Sequence, residues 1–344
     1  MYLHSELYTE DLLRVAESVD ARPFEDAHVL VTGSTGLIGS CLCHVLLSLG
    51  LGVHLTVAGR DKTRCISMLG PYGEGVPFVQ FDACVYGKVP GTYDFIIHCA
   101  SNAHPAAYIS QPIQTMLANI EGTRTLLDNV SIRGGRLLYV SSSEVYGRRK
   151  SSDLYLEDDY CYVDLLDPRS CYPSSKRAAE TLCAAYHAEN GVDFVIVRPG
   201  HVYGPTMTLS DSRAHAQFAR SAASSEPIVM RSTGTQLRSY VHAFDCATAM
   251  LAALTRGESG SAYNVSNPQS IVTVRQMAEA FAEAGNTCVE FENPDDAELG
   301  GYNRMECSAL DSTALENLGW EGMFNMRDGA VETVNVLRER MTNS

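Results

Sequence analysis

His28-Val29-Leu30-Val31-Thr32-Gly33-Ser34-Thr35-Gly36-Leu37-Ile38-Gly39 decides the fold of this chain. The first four residues read as a short buried strand. Gly33, Gly36 and Gly39 then make a G-x-x-G-x-x-G loop, and an apolar helix runs on to Leu49. The first glycine permits a tight turn, the second lets backbone approach a pyrophosphate, and the third lets helix and strand pack closely. The helix N-terminus offers unbonded N–H groups to phosphates. A glycine triplet in this strand-loop-helix setting reads as a dinucleotide site, with contacts expected from Gly33, Thr35, Gly36, Leu37, Ile38 and Gly39.

Working outward, further strands are expected at Val53–Ala58, Phe78–Phe81, Phe95–His98, Leu137–Val140 and Phe194–Val197, with helices over 112–129 and 173–188. Strands alternating with helices imply right-handed crossovers and an α/β, Rossmann-type, doubly wound parallel sheet. Residues 1–27 are expected to be an N-terminal helical extension from Ser5 to about Ser18, with Leu12, Leu13 and Val15 as its apolar stripe. Residues 28–200 form the dinucleotide-binding domain. From 201 to 344 the alternation loosens, with helices at 211–224, 242–256, 273–284 and 311–317 and short strands near Ile228 and Tyr263. This part reads as a smaller substrate-binding lobe with segments returning to the first domain. The acidic run Asp153 to Asp159 reads as a solvated loop.

The chain has 344 residues, 45% of them hydrophobic, enough for a sizeable core. A formal charge of -15 offers no broad basic field for nucleic acid or an anionic membrane. There is no bilayer-length apolar run and no signal-peptide pattern, so a cytoplasmic location is expected. The 11 cysteines are scattered, without C-x-x-C or zinc spacing, and read as reduced, mostly buried thiols. Cys41, Cys43 and His44 read as helix packing rather than a metal site.

Tyr172-Pro173-Ser174-Ser175-Lys176 sets a phenol and an ammonium on one helical face. A nearby cation favours the phenolate and should lower the phenol's pKa, making Tyr172 a base for a hydroxyl proton. Upstream, Ser141-Ser142-Ser143-Glu144 follows a strand end, where ligands of open α/β sheets sit. At the end of the second strand, Ala58-Gly59-Arg60-Asp61 leaves NAD against NADP open: Arg60 faces a 2′-phosphate or stacks on adenine, and Asp61 is a displaced acid. Asp82 is a candidate for the adenine amino group or a turn cap.

Serine, tyrosine and lysine in this order resemble the extended short-chain dehydrogenase/reductases that act on nucleotide sugars, and within them the UDP-glucuronate decarboxylase (UDP-xylose synthase) family. Ser142-Ser143-Glu144-Val145-Tyr146-Gly147 is similar to T-S-E-V-Y-G, and Pro168-Arg169-Ser170-Cys171-Tyr172 with Lys176-Arg177 to P-R-x-C-Y-x-x-x-K-R. Gly204-Pro205, Met207, Asp211, Arg213 and Phe218 follow G-P-R-M-x-x-x-D-G-R-x-x-x-x-F, and Gln236, Arg238 and Ser239 follow S-Q-x-R-S. His98-Cys99-Ala100-Ser101 follows the fourth-strand loop and implies a cofactor contact at Ala100. The resemblance covers roughly residues 28–320.

It implies that Tyr172 takes the C4 hydroxyl proton, Ser142 bonds the same oxygen, Lys176 holds the nicotinamide ribose, and Glu144 and Ser143 act near C5 and C6. Ser143 stands where 4,6-dehydratases place an aspartic acid, which disfavours dehydration, and Glu144 stands where 4-epimerases usually have threonine. Arg238 is the candidate substrate cation, or a surface salt bridge. Arg213 and Arg304 are weaker candidates for the diphosphate, and Tyr108 and His104 for the sugar pocket. Asn119 is a candidate brace for the backbone near Tyr172. His201 replaces an asparagine, with a charge expected to depend on pH, while Gln114 and Thr206 replace lysine and arginine. A nucleotide-sugar 4-epimerase, an NADPH-linked reductase and a non-catalytic dinucleotide sensor are the alternatives. A homodimer through the helix of Tyr172 is expected from the family, with Ala178, Ala179, Leu182, Ala185 and Tyr186 equally suited to internal packing.

Overall fold

A computed structural model describes residues 3, 5–50, 52–103, 105–208, 211–292 and 305–342. Its centre is a sheet of seven strands: β1 (His28–Thr32), β2 (His54–Gly59), β3 (Phe78–Gln80), β4 (Phe95–His98), β5 (Arg136–Val140), β6 (Asp193–Pro199) and β10 (Ser261–Val265). They lie in the order β10-β6-β5-β4-β1-β2-β3, all parallel. The chain runs outward from β1 through β2 and β3, then returns to lay β4 on the other side of β1. That reversal opens a crevice at the carboxyl ends of β1 and β4. Register brings Thr32 beside His98 and Ala58, so the loops after β1, β4 and β5 leave one edge together.

Helices cover both faces because a parallel sheet is apolar on both sides. On one face lie α5 (Pro112–Arg133) and α6 (Cys171–Asn190), with Leu126, Leu127, Ala179 and Cys183 in the core. On the other lie α2 (Leu37–Ser48) and α8 (Ala243–Arg256). Helix α1 (Glu6–Glu17), capped by Ser5, packs outside α2 and α8. Its buried face is Tyr8, Leu12, Val15 and Ala16. Leu13, expected in that stripe, is half exposed, since it lies about 100° round the helix from Leu12. Tyr8 hydrogen-bonds the buried His44 ring at 2.8 Å and stacks on Phe244.

Beyond Pro199 the strand changes sheets. A Cβ on Gly200 would lie 2.5 Å from the Ser239 carbonyl oxygen, so glycine allows the crossing. β7 (His201–Tyr203) then pairs with β9 (Leu237–His242), flanked by β11 (Ile271–Thr273) and β13 (Cys307–Ser308). A two-stranded pair, β8 (Ile228–Met230) and β12 (Val289–Phe291), and the helices α7 (Ala214–Ala223) and α9 (Val274–Gly285) complete this part. A helix over Met326–Thr342, α11 after the one-turn α10 (Thr313–Glu316), has no counterpart in the sequence-based expectation. Its apolar spacing at Met326, Ala330, Val334 and Leu337 is helical, but Glu332 interrupts it and is buried against His242 at 2.9 Å.

The run from Asp153 to Asp159 is not simply a solvated loop. Tyr155 is buried, Glu157 accepts from the Asn264 amide, and Asp159 pairs with Arg149. A guanidinium below it, Arg198 of β6, binds Glu180 of α6 through two hydrogen bonds and also the Tyr146 hydroxyl.

A Cβ on Gly39 would overlap the Gly33 carbonyl oxygen. Gly39→Ala is expected to cost about 1–3 kcal/mol of unfolding free energy in denaturant titration. Gly87→Ala, with open space at its Cβ, should stay within about 0.5 kcal/mol of the parent.

Candidate active site

The glycine loop is shaped by backbone contacts. Gly33 has φ of +71°, and a Cβ there would lie 2.7 Å from the Ala100 amide nitrogen. The Thr32 hydroxyl accepts from that amide at 3.2 Å and joins the His98 ring at 2.7 Å, tying the loops after β1 and β4 together. Gly36 is the N-cap of α2 and supplies no side chain, so the first N–H groups of α2, including Leu37 and Ile38, are not side-chain capped. Beside it the fully buried Ser34 hydroxyl finds no hydrogen-bond partner among the described residues. An orphan donor, open amides and a loop that rejects side chains fit a dinucleotide pyrophosphate.

Further along the edge, the structure places Asp82 as a turn cap, its carboxylate accepting from the Cys84 amide at 2.9 Å. Arg60 is exposed at the end of β2. Asp61 is the N-cap of α3 (Lys62–Met68), accepting from the Arg64 amide at 3.0 Å, which uses that carboxylate locally.

Tyr172 and Lys176 stand one turn apart at the start of α6, both buried. Lys176 Nζ donates to the Val140 carbonyl at the end of β5 at 2.6 Å and lies 5.8 Å from the Tyr172 ring centroid. The expected lowering of the phenol is reversed. Burial pushes Tyr172 up to about 12, against hydrogen bonds from Ser142 and Tyr108 that pull it down. The same burial pushes Lys176 down to about 7. Loss of water is the leading cause for both groups.

Ser142 caps the short turn Ser143–Tyr146, its hydroxyl accepting from the Glu144 amide at 3.2 Å. Ser143 is buried in that turn, and the Ser141 hydroxyl is buried without a partner among the described residues. Glu144 is held by Arg169, which donates to both carboxylate oxygens at 3.1 Å. Tyr108, on α4 (Pro105–Ser110), stacks on Tyr172 with ring centroids 4.5 Å apart. Asn119 Nδ2 donates to Ser175 Oγ at 2.9 Å, and Ser175 donates to the Tyr172 carbonyl at 3.0 Å, so Asn119 braces the first turn of α6.

The small sheet faces this cluster with Arg238 and His201. Arg238 is buried, and its guanidinium donates to the carbonyls of Leu237 and Met305. It is therefore not a surface salt bridge. A buried cation bonded to neutral carbonyls is an anion-binding candidate. Arg213 pairs with the Asp211 carboxylate at 2.5 Å, and that pairing holds Asp211 down at about 2 against the effect of burial. His201 lacks the expected pH-dependent charge: burial, then Arg238 and Arg213, push it down to about 3. Its Nδ1 is buried and unpartnered among the described residues. Thr206 bonds the Leu37 carbonyl at 2.9 Å, while Gln114 is exposed. Arg304 and His104 lie outside the described residues.

Two members of the cluster were not singled out as site residues. Arg169 stood inside the matched motif, but nothing in its spacing names Glu144 as its partner. His215, in the first turn of α7, is buried with Nε2 unpartnered among the described residues, and burial beside Arg213 pushes it well down. Its position two residues beyond Arg213 was the available signal. Among the described residues, no group of three His, Cys, Asp or Glu side chains could hold a metal ion, and no helix is long and apolar enough to cross a membrane.

Residues 29–266 match the model of the NAD dependent epimerase/dehydratase family. UDP-glucuronic acid decarboxylase 3 of Arabidopsis thaliana is 32% identical over 308 residues, covering 88% of this chain and 86% of that protein. UDP-glucuronic acid decarboxylase 1 of Xenopus tropicalis is 30% identical over 321 residues, covering 91% and 72%. The structure of Thermus thermophilus UDP-glucose 4-epimerase in complex with NAD superposes with a TM-score of 0.74 at 25% identity, covering 91% of this chain and 99% of that one. The glycine loop, the buried tyrosine–lysine pair and these matches lead to one conclusion: the chain belongs to the NAD-dependent epimerase/dehydratase family and is an enzyme with NAD as its cofactor.

Proposed function

We propose that this enzyme modifies a nucleotide sugar through transient oxidation at C4, and that its reaction is decarboxylation of UDP-glucuronate to UDP-xylose. The convergence of Ser142, Tyr172 and Lys176 at the carboxyl edge of the sheet, with Glu144 on the turn that Ser142 caps, carries the reading. The decarboxylases matched at 30–32% identity support the sugar acid as substrate.

The chain's residues divide the work. Gly33, Thr35, Gly36, Leu37, Ile38, Gly39 and Ala100 would hold the pyrophosphate, Asp82 and Arg60 would hold the adenosine, and Lys176 would hold the ribose. NAD held there would supply reversible hydride acceptance at C4, which leaves the net reaction not redox. Tyr172 removes the C4 hydroxyl proton and Ser142 bonds the same oxygen. A phenol at about 12 is a weak base at neutral pH, so Tyr172 acts once additional positive charge is brought beside it. The resulting 4-keto acid is a β-keto acid: its C5–C6 bond breaks, carbon dioxide leaves, and the enolate left behind takes a proton at C5 from a water that Glu144 and Ser143 orient. Arg238 is assigned to substrate anion binding, with Arg213, His201 and Tyr108 assigned to the diphosphate and sugar. Glu144 and Ser143 are assigned to C5 and C6. Ser143 cannot supply the acid that dehydration needs. A homodimer through the exposed side of α6, which carries Ala178 and Ala185, belongs to this reading, whereas Ala179 is buried internally. The likeness to a 4-epimerase of known structure favours epimerisation as the second reading.

Incubation with UDP-glucuronate and NAD+ should release carbon dioxide and a UDP-pentose. UDP-galacturonate would support epimerisation, and no turnover of any nucleotide sugar would remove the enzymatic reading of the site. Tyr172→Phe should lower turnover by about 10²–10⁴-fold while dinucleotide affinity, read by calorimetry, stays nearly unchanged; retained turnover would take Tyr172 out of the mechanism. Lys176 also leaves a stability signature. Its folded value of about 7 lies below the ordinary 10.5, so between these pH values the unfolded chain binds more protons and wild-type stability rises with pH. Lys176→Met should lose that rise in denaturant titrations; an identical slope in both proteins would place the lysine in water.

A further inference from the structure

The turns Ser143–Tyr146 and Pro168–Ser170 meet through a single ion pair. Arg169 Nη1 and Nη2 each donate to one oxygen of Glu144 at 3.1 Å, a parallel two-bond fork. The two side chains remain 27% and 21% exposed, so the pair contributes little to fold stability. What the fork does supply is direction, since two parallel bonds remove the rotation that one bond would leave. The Arg169 end is itself fixed. Asp167 accepts from the Arg169 amide at 2.9 Å, and the guanidinium sits 5.8 Å from the centroid of Tyr108, which stacks on Tyr172. The Glu144 end is fixed through its amide on Ser142. Arg169 thus reaches the reacting groups from both sides without being one of them.

We propose that Arg169 is a positioning residue that holds the Glu144 carboxylate in one orientation toward the sugar, so that Glu144 serves C5 and C6 while Tyr172 serves C4. The assignment of Glu144 to that part of the sugar rests on the function proposed above; the dependence of Glu144 on Arg169 does not. Besides Arg169, the groups that feel the Glu144 carboxylate include Tyr108 of α4, Cys171 and Tyr172 of α6 and Arg238 of β9. Arg169 and Arg238 are the cations among these, and the Arg238 guanidinium is committed to carbonyls.

The test has a kinetic and a substrate-free arm. Arg169→Ala should lower kcat at least about 10-fold with KM changed less than about threefold. Combining it with Glu144→Gln should lower kcat no further than Glu144→Gln alone, because the two act as a unit. Arg169→Lys keeps the charge but not the fork, and should recover only part of kcat. Without substrate, isotope-edited carboxyl NMR follows Glu144, its resonance assigned by its loss in Glu144→Gln. At one fixed neutral pH that resonance should move in Arg169→Ala, which loses both guanidinium bonds, and return toward the wild-type position in Arg169→Lys. An unmoved resonance, or additive kinetic losses in the double variant, overturns the proposal. Where the alanine variant does not fold, Arg169→Lys carries both arms, and a kcat equal to wild type overturns it. If wild type leaves UDP-glucuronate untouched, the substrate reading fails while the NMR comparison still decides the role of Arg169.

Discussion

The guanidinium of Arg198 is the bolt on which the site depends. It leaves β6 toward α6, binds both oxygens of Glu180 at 2.7 and 3.0 Å, and reaches the Tyr146 hydroxyl at 3.0 Å and the Glu157 carbonyl at 2.6 Å. Strand, helix, turn and loop therefore share one buried charge. A charge at 2% exposure is tolerated only while its partners stay in place, and loss of one costs about 3–5 kcal/mol. Tyr146 passes the constraint to Asn264 of β10 at 2.6 Å. Arg177 adds donors to the carbonyls of Val145, Tyr146 and Cys161. The turn that presents Ser142 and Glu144 is thus held from beneath by side chains that never face the crevice.

Above that frame Tyr172, Lys176 and His201 sit away from their ordinary values, and burial is the leading cause in each. Tyr172 is raised and Lys176 and His201 are lowered, each in the direction that removes charge from a dry pocket. Arg238 keeps its guanidinium in the same pocket against carbonyls. Such a site is buried, the condition under which an incoming anion or cation is felt strongly. The acidic net charge of the chain says nothing of this, because it is a property of the surface.

Much of this was legible in residue patterns. The Gly33-Gly36-Gly39 spacing, the strand at His28–Thr32 and the four-residue step from Tyr172 to Lys176 are local, and local backbone chemistry realised them. The helix over Met326–Thr342 was less legible because its buried face carries Glu332, a residue whose burial depends on His242 ninety positions away. The acidic segment around Tyr155 misled for the same reason. Its partner Asn264 comes from β10, 107 positions beyond Glu157, and charge counted along a sequence does not reveal it.

By itself the amino-acid order determined the class of fold, the dinucleotide loop and the identity of the serine, tyrosine and lysine, since each rests on residues within a few positions of one another. Tertiary structure alone decided that Arg169 faces Glu144, that Arg238 is buried against carbonyls, that His201 stays neutral, and that burial is the leading cause in setting the state of Tyr172. Those outcomes depend on desolvation and on contacts between distant segments, quantities that exist only once the chain has closed on itself.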